Sequence, residues 1–140
     1  MNKDIILKTT TRIIVPFILV FSLYVLAHGE ISPGGGFQGG VIFAAGFILY
    51  SMVFGVEELY KIISKKVIIF LTALGVSIYT GVGFITMLNG GKFLEYAKIP
   101  GFDMKSGNAM GLLFIETGVF ITVFSVMLLL YIEVAKKYDN

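Results

Sequence analysis

Two features of this 140-residue sequence could do chemistry, and both are sparse. The first is Glu116, in the run Leu113-Phe114-Ile115-Glu116-Thr117-Gly118-Val119, where an acid stands inside a long apolar stretch. Holding an unpaired carboxylate in hydrocarbon costs at least about 2.5 kcal/mol, so such a group needs a partner, water or a proton. Two readings stay open: a protonatable or cation-coordinating group, or an acid hydrogen-bonded to a neighbouring helix. The second feature is the turn His28-Gly29-Glu30-Ile31-Ser32-Pro33-Gly34-Gly35-Gly36-Phe37-Gln38-Gly39-Gly40. Three glycines after a proline abandon regular helix and permit positive φ. Irregular backbone next to a membrane survives only where protein or water satisfies it. The turn therefore reads as a close-packed reversal between helices, with direct ion or substrate contact as the alternative. It is not a P-loop, because no Gly-Lys-Ser/Thr follows. His28 heads the turn. A lone histidine there reads either as a helix-end hydrogen-bonder or as a group serving Glu116.

Little else could react. Cys 0 removes disulfides, iron–sulfur ligation and thiol nucleophiles, and the single histidine removes zinc clusters and haem pairs. No nucleophile–base set and no cofactor motif is present, so catalytic, cofactor and metal sites are not expected. A net charge of +2 gives no basic stripe for nucleic acid.

The elements that position these residues follow from composition. Hydrophobic residues make up 56% and charged residues 14%, against about 25% charged in an average soluble chain. So much apolar surface must face lipid or other apolar protein. Spans need about 20 apolar residues, and four are expected, at about 11–27, 39–56, 67–88 and 109–132. Pro16 falls near the start of the first, where a missing N–H costs least, and Arg12 is placed to snorkel. Glu57 to Lys66 is expected as a charged loop or an interfacial helical turn. Asn89 to Asn108 is the longest connection, its two asparagines reading as caps or turn formers. Gly36, Gly40 and Ala44, spaced by four, predict a small-residue face for close helix packing, as do Gly107 and Gly111. Lys and Arg number eight on the side holding both termini and the second loop, against three on the other. The bias places both termini in the cytoplasm. The fold class is thus all-α integral membrane, four transmembrane helices, with 1–140 as a single membrane domain. One acid in four spans is too few for a proton path across the bilayer, which favours an accessory subunit over an autonomous transporter.

Ser32-Pro33-Gly34-Gly35-Gly36-Phe37-Gln38-Gly39-Gly40, preceded by His28-Gly29, resembles the hallmark turn of the B subunit (MnhB) of Mrp-type multisubunit sodium/proton antiporters. The Glu116-Thr117-Gly118-Val119 run is similar to a second stretch of that family. The resemblance implies a subunit of a hetero-oligomeric complex in the cytoplasmic membrane that exchanges Na+ for H+. Its partners would be the other antiporter subunits, the larger of which carry the intramembrane proton path, together with the lipid bilayer. A similar subunit in the sodium-translocating module of membrane-bound hydrogenases is the alternative. By resemblance Pro33 and Phe37 match positions important for antiport, and Glu116 matches an acidic position. His28, Gly34, Gly35, Gly36 and Gly40 complete the candidate set for ion pathway or packing.

Overall fold

A computed structural model of the chain describes residues 2–29, 34–101 and 103–138, without the side chains of residues 2, 3 and 138. Pro33, with residues 30–32, lies outside the described residues. Among the described residues there are five α-helices: α1 Asn2–Ala27, α2 Gly36–Phe54, α3 Val56–Ile62, α4 Lys65–Leu88 and α5 Met104–Tyr138. A single 3-10 turn, Tyr96–Lys98, lies in the connection between α4 and α5. Four of the helices are long and apolar enough to cross a membrane.

The spans differ from the expected ones mainly at their charged ends. The second begins three residues early, because Gly36 to Gln38 join the helix. The first and last extend well beyond their apolar runs, α5 to 35 residues, or about 52 Å at 1.5 Å per residue. Charged residues continue a helix once it leaves hydrocarbon, so hydropathy marks the membrane-embedded part and not the helix. Two expectations are corrected as a result. Pro16 lies in the interior of α1, not at its start, so it withholds an N–H from the carbonyl of Arg12 four residues back. Asn108 lies inside α5 and caps nothing. Asn89 is the C-cap of α4, and its Nδ2 donates to the carbonyl of Ile85 at 2.8 Å.

The helices pack side by side in the order α1, α2, α5, α4. Such a row leaves most of each helix uncovered: Phe17, Met52, Phe70 and Leu88 are exposed, as lipid or partner protein allows. The core gathers where α2, α4 and α5 meet the short α3. It comprises Ala44, Leu59, Ile68, Phe124, Leu128 and Ile132. Of the two readings of the charged stretch, loop or interfacial helical turn, the helical one holds: α3 is a seven-residue helix with a buried key, Leu59. Gly55 joins α2 to α3 at φ +96°, conformational space that favours glycine. Ser64 caps α4 through the N–H of Val67.

The ion pair between Lys65 and Glu133 ties the start of α4 to the end of α5. The Arg12 guanidinium lies 5.2 Å from the ring centre of Phe54, linking the first half of α1 to the end of α2. Both chain ends, α3, and most Lys and Arg residues are therefore at one end of the row. The glycine turn and the α4–α5 connection are at the other. That connection folds back on the helices: the Leu94 N–H donates to the buried Thr86 hydroxyl at 3.1 Å, and Phe93 covers Gly83.

Candidate functional site

The site is built where α1 ends, α2 begins and α5 passes behind both. Each glycine in it is explained by what a Cβ would strike. A Cβ on Gly29 would lie 2.5 Å from Oε2 of Glu116. On Gly35 it would lie 2.7 Å from Oε1 of the same carboxylate, and on Gly36 only 2.9 Å from the Glu116 Cα, with its carbonyl oxygen closer still. Gly35 is also at φ +121°, where other residues are strained. Gly29 and Gly35 thus enclose the Glu116 carboxylate, while Gly36 packs on the Glu116 backbone. Gly34 does not touch it, and instead packs on Val25 near the end of α1, where a Cβ would meet Cγ1 at 3.2 Å.

The same close approach runs on along the seam. A Cβ on Gly40 would lie 2.8 Å from the Phe120 carbonyl oxygen. Gly39 is wedged between the Ser22 carbonyl of α1 and the Phe120 ring, at 3.0 and 3.1 Å. One turn further, Ala44 is buried, and Phe43 packs against Phe120 and Phe124 with ring centres 5.3 and 4.9 Å apart. The expected Gly36–Gly40–Ala44 face is therefore the contact surface of α2, and its partner is the Glu116–Phe120–Phe124 face of α5. Without a hydrophobic drive between helices in lipid, backbone proximity of this kind is what holds them. The second expected face fares differently: Gly111 receives the Tyr96 ring from the connection, and not another helix.

Electrostatically, the Glu116 carboxylate stands at the N-terminal end of α2. Gly35, the N-cap, has no side chain to satisfy the first-turn N–H groups. The positive end of the helix dipole and those N–H groups favour a negative charge at this place. The carboxylate is half-buried, reached through a glycine lining that offers backbone but no side-chain bulk. Such a nook can hold a carboxylate, a proton upon it, or a small cation beside it.

His28 is brought to the edge of the site through its neighbour Gly29. Its backbone N–H and its Nδ1 both meet the Tyr24 carbonyl, at 3.1 and 3.0 Å, and its ring stacks on Tyr24 at 4.0 Å. A carbonyl only accepts, so Nδ1 carries the proton in this arrangement. The helix-end role is therefore present. Phe37 is on the outer side of the α2 first turn, 64% exposed, and takes no part in enclosing Glu116.

Three contributors are not singled out by sequence: Gly29, Gly75 and Gly118. Gly29 reads there only as part of the turn, although it is closest to the carboxylate. Gly118 and Gly75 pack backbone to backbone between α5 and α4: a Cβ on Gly75 would lie 2.7 Å from the Gly118 carbonyl oxygen. The signal available was an isolated glycine in each of two apolar helices, two residues beyond Glu116 in one case. Among the described residues no group of three or more His, Asp or Glu could hold a metal ion.

These observations define a class: a polytopic membrane protein whose four spans form a row, with one acid in a glycine-lined seam. The family follows from comparison. Residues 6–129 match the family described as "Domain related to MnhB subunit of Na+/H+ antiporter". Proteins named antiporter subunit mnhB2 from Staphylococcus aureus strains Newman, JH1 and COL are each 34% identical over 133 residues. The match covers 87% of this chain and 92% of theirs. The chain belongs to the MnhB-related family.

Proposed function

We propose that the chain is an accessory subunit of a multisubunit Na+/H+ antiporter of the cell membrane, with no enzymatic reaction of its own. Family membership supports the antiporter complex as its place of work. The observation that carries a functional reading of the site is the enclosure of the Glu116 carboxylate by Gly29 and Gly35 at the start of α2. A purely packing role calls for small residues against a backbone, as at Gly36, Gly40 and Gly75. Gly29 and Gly35 instead leave room for a carboxylate. In this reading Glu116 shapes or lines a hydrated cation pathway at the edge of the subunit, and the rigid glycine corner holds it in place. Phe37, turned outward beside that corner, anchors the chain to a larger antiporter subunit. The end bearing both termini and most Lys and Arg faces the cytoplasm, in keeping with the charge bias.

Deleting the gene and restoring it in trans tests the assignment. Sodium-driven proton movement in everted membrane vesicles is expected to vanish on deletion and return on complementation. The tagged chain is expected to copurify with larger membrane subunits. Undiminished antiport in the deletion strain, or a chain that purifies alone, overturns it.

A further inference from the structure

At the opposite end from Glu116, α1 and α2 part and leave a crevice. It is lined by Arg12, Val15, Pro16 and Leu19 of α1, Phe47 and Tyr50 of α2, and Ile62 of α3. The α1 residues 12, 15, 16 and 19 recur at helical spacing and form one face. Towards the middle of the membrane the crevice is closed at Gly46, where a Cβ would lie 2.9 Å from Leu19 Cδ2. At its mouth stands Arg12, exposed, with its guanidinium over the Phe54 ring. Among the described residues no carboxylate pairs with it; Glu58 and Glu133 pair with Lys61 and Lys65 instead.

Arg12 stands at the charged end of the apolar run of α1. A cation there can reach up to the interface or hold an anionic group beside it. Stacking on Phe54 occupies one face of the guanidinium and leaves its N–H edges to donate. Lys8, one turn nearer the water on the same face, adds a second positive charge, with Asp4 a further turn out.

We infer that this crevice seats an anionic phospholipid. One acyl chain lies along Val15, Leu19, Phe47 and Ile62, and the phosphate bonds Arg12. The carbon lining suits an alkyl chain, and Arg12 at the mouth supplies a charge complement to a phosphate that an apolar helix of a partner lacks. One Arg near the surface favours an anionic over a neutral lipid by about fivefold.

The test uses phosphatidylglycerol and phosphatidylcholine, each carrying a photoactivatable group midway along one acyl chain. They are incorporated into native membranes that contain the full chain. Labelling is expected on α1 and α2 peptides bearing Leu19, Phe47 or Tyr50, about fivefold stronger with phosphatidylglycerol. In Arg12→Gln the preference should fall to near one while crevice labelling by phosphatidylcholine persists. That persistence shows the crevice intact, so the loss reports charge and not misfolding. Equal labelling by both lipids, an unchanged preference in Arg12→Gln, or no labelling because a partner subunit fills the crevice would each overturn the inference.

Discussion

Glu116 and Gly35 meet across the α2–α5 seam so closely that any side chain at 35 would lie within 2.7 Å of the Glu116 Oε1. The glycine is there for two reasons that act together, its φ of +121° and the space the carboxylate takes. Gly35 and the membrane acid are 81 residues apart in sequence, yet they form one object.

The two reasons can be separated by substitution. Gly35→Ala suffers both strain and collision, whereas Gly55→Ala, at φ +96° with open space around it, suffers strain alone. Strained φ costs about 1–3 kcal/mol. Gly35→Ala is therefore expected to melt in detergent below Gly55→Ala, and both below the parent. Equal melting of the two variants would show that the carboxylate does not occupy the space.

Helix approach is tested in the same way along α2. Gly40→Ala places a methyl 2.8 Å from the Phe120 carbonyl oxygen, while Gly81→Ala in α4 meets nothing within 4 Å. Replacing glycine by alanine inside a helix is intrinsically favourable by about 1 kcal/mol. The prediction is opposite signs: Gly81→Ala neutral or stabilising, Gly40→Ala destabilising. Calorimetric or fluorescence melts of the purified chain decide it.

Leu59 is fully buried although it belongs to a seven-residue helix in a charged stretch. Leu59→Ala is expected to cost about 2–5 kcal/mol, as for a core leucine. A change below about 0.5 kcal/mol, typical of surface sites, would mean that α3 lies loose on the membrane surface.

Phe37 separates folding from assembly. Being 64% exposed, it contributes little to the chain's own packing. Phe37→Ala should leave the melt of the isolated chain within about 0.5 kcal/mol of the parent and reduce copurification with the larger subunits. Normal copurification would remove the anchor role.

Hydropathy located the four spans, because length and apolar content alone decide whether a helix can cross hydrocarbon. It could not show that α1 and α5 run on into charged residues, which are as helical as leucine once in water. The interior position of Pro16 was hidden for that reason. The small-residue spacing of Gly36, Gly40 and Ala44 was legible as a packing face, but no local signal says which helix it meets. Glu116 stood out as a misplaced charge, and the glycine turn as broken helix. That one encloses the other is a tertiary fact, set by parallel packing of α2 along α5. The contact of Gly29 with Glu116 is not legible because a single glycine after a helix end is a common C-terminal signal. The burial of Leu59 was hidden by its charged neighbours.

The most direct measurement is antiport by the assembled complex carrying Glu116→Gln, read in everted vesicles over a range of pH. Glutamine keeps the size of glutamate and fits the same glycine lining, so copurification of the subunits should be unchanged. Sodium-driven proton movement is then predicted to fall to the level of vesicles lacking the complex. Full antiport at every pH, with assembly intact, would contradict a role for Glu116 in the cation pathway.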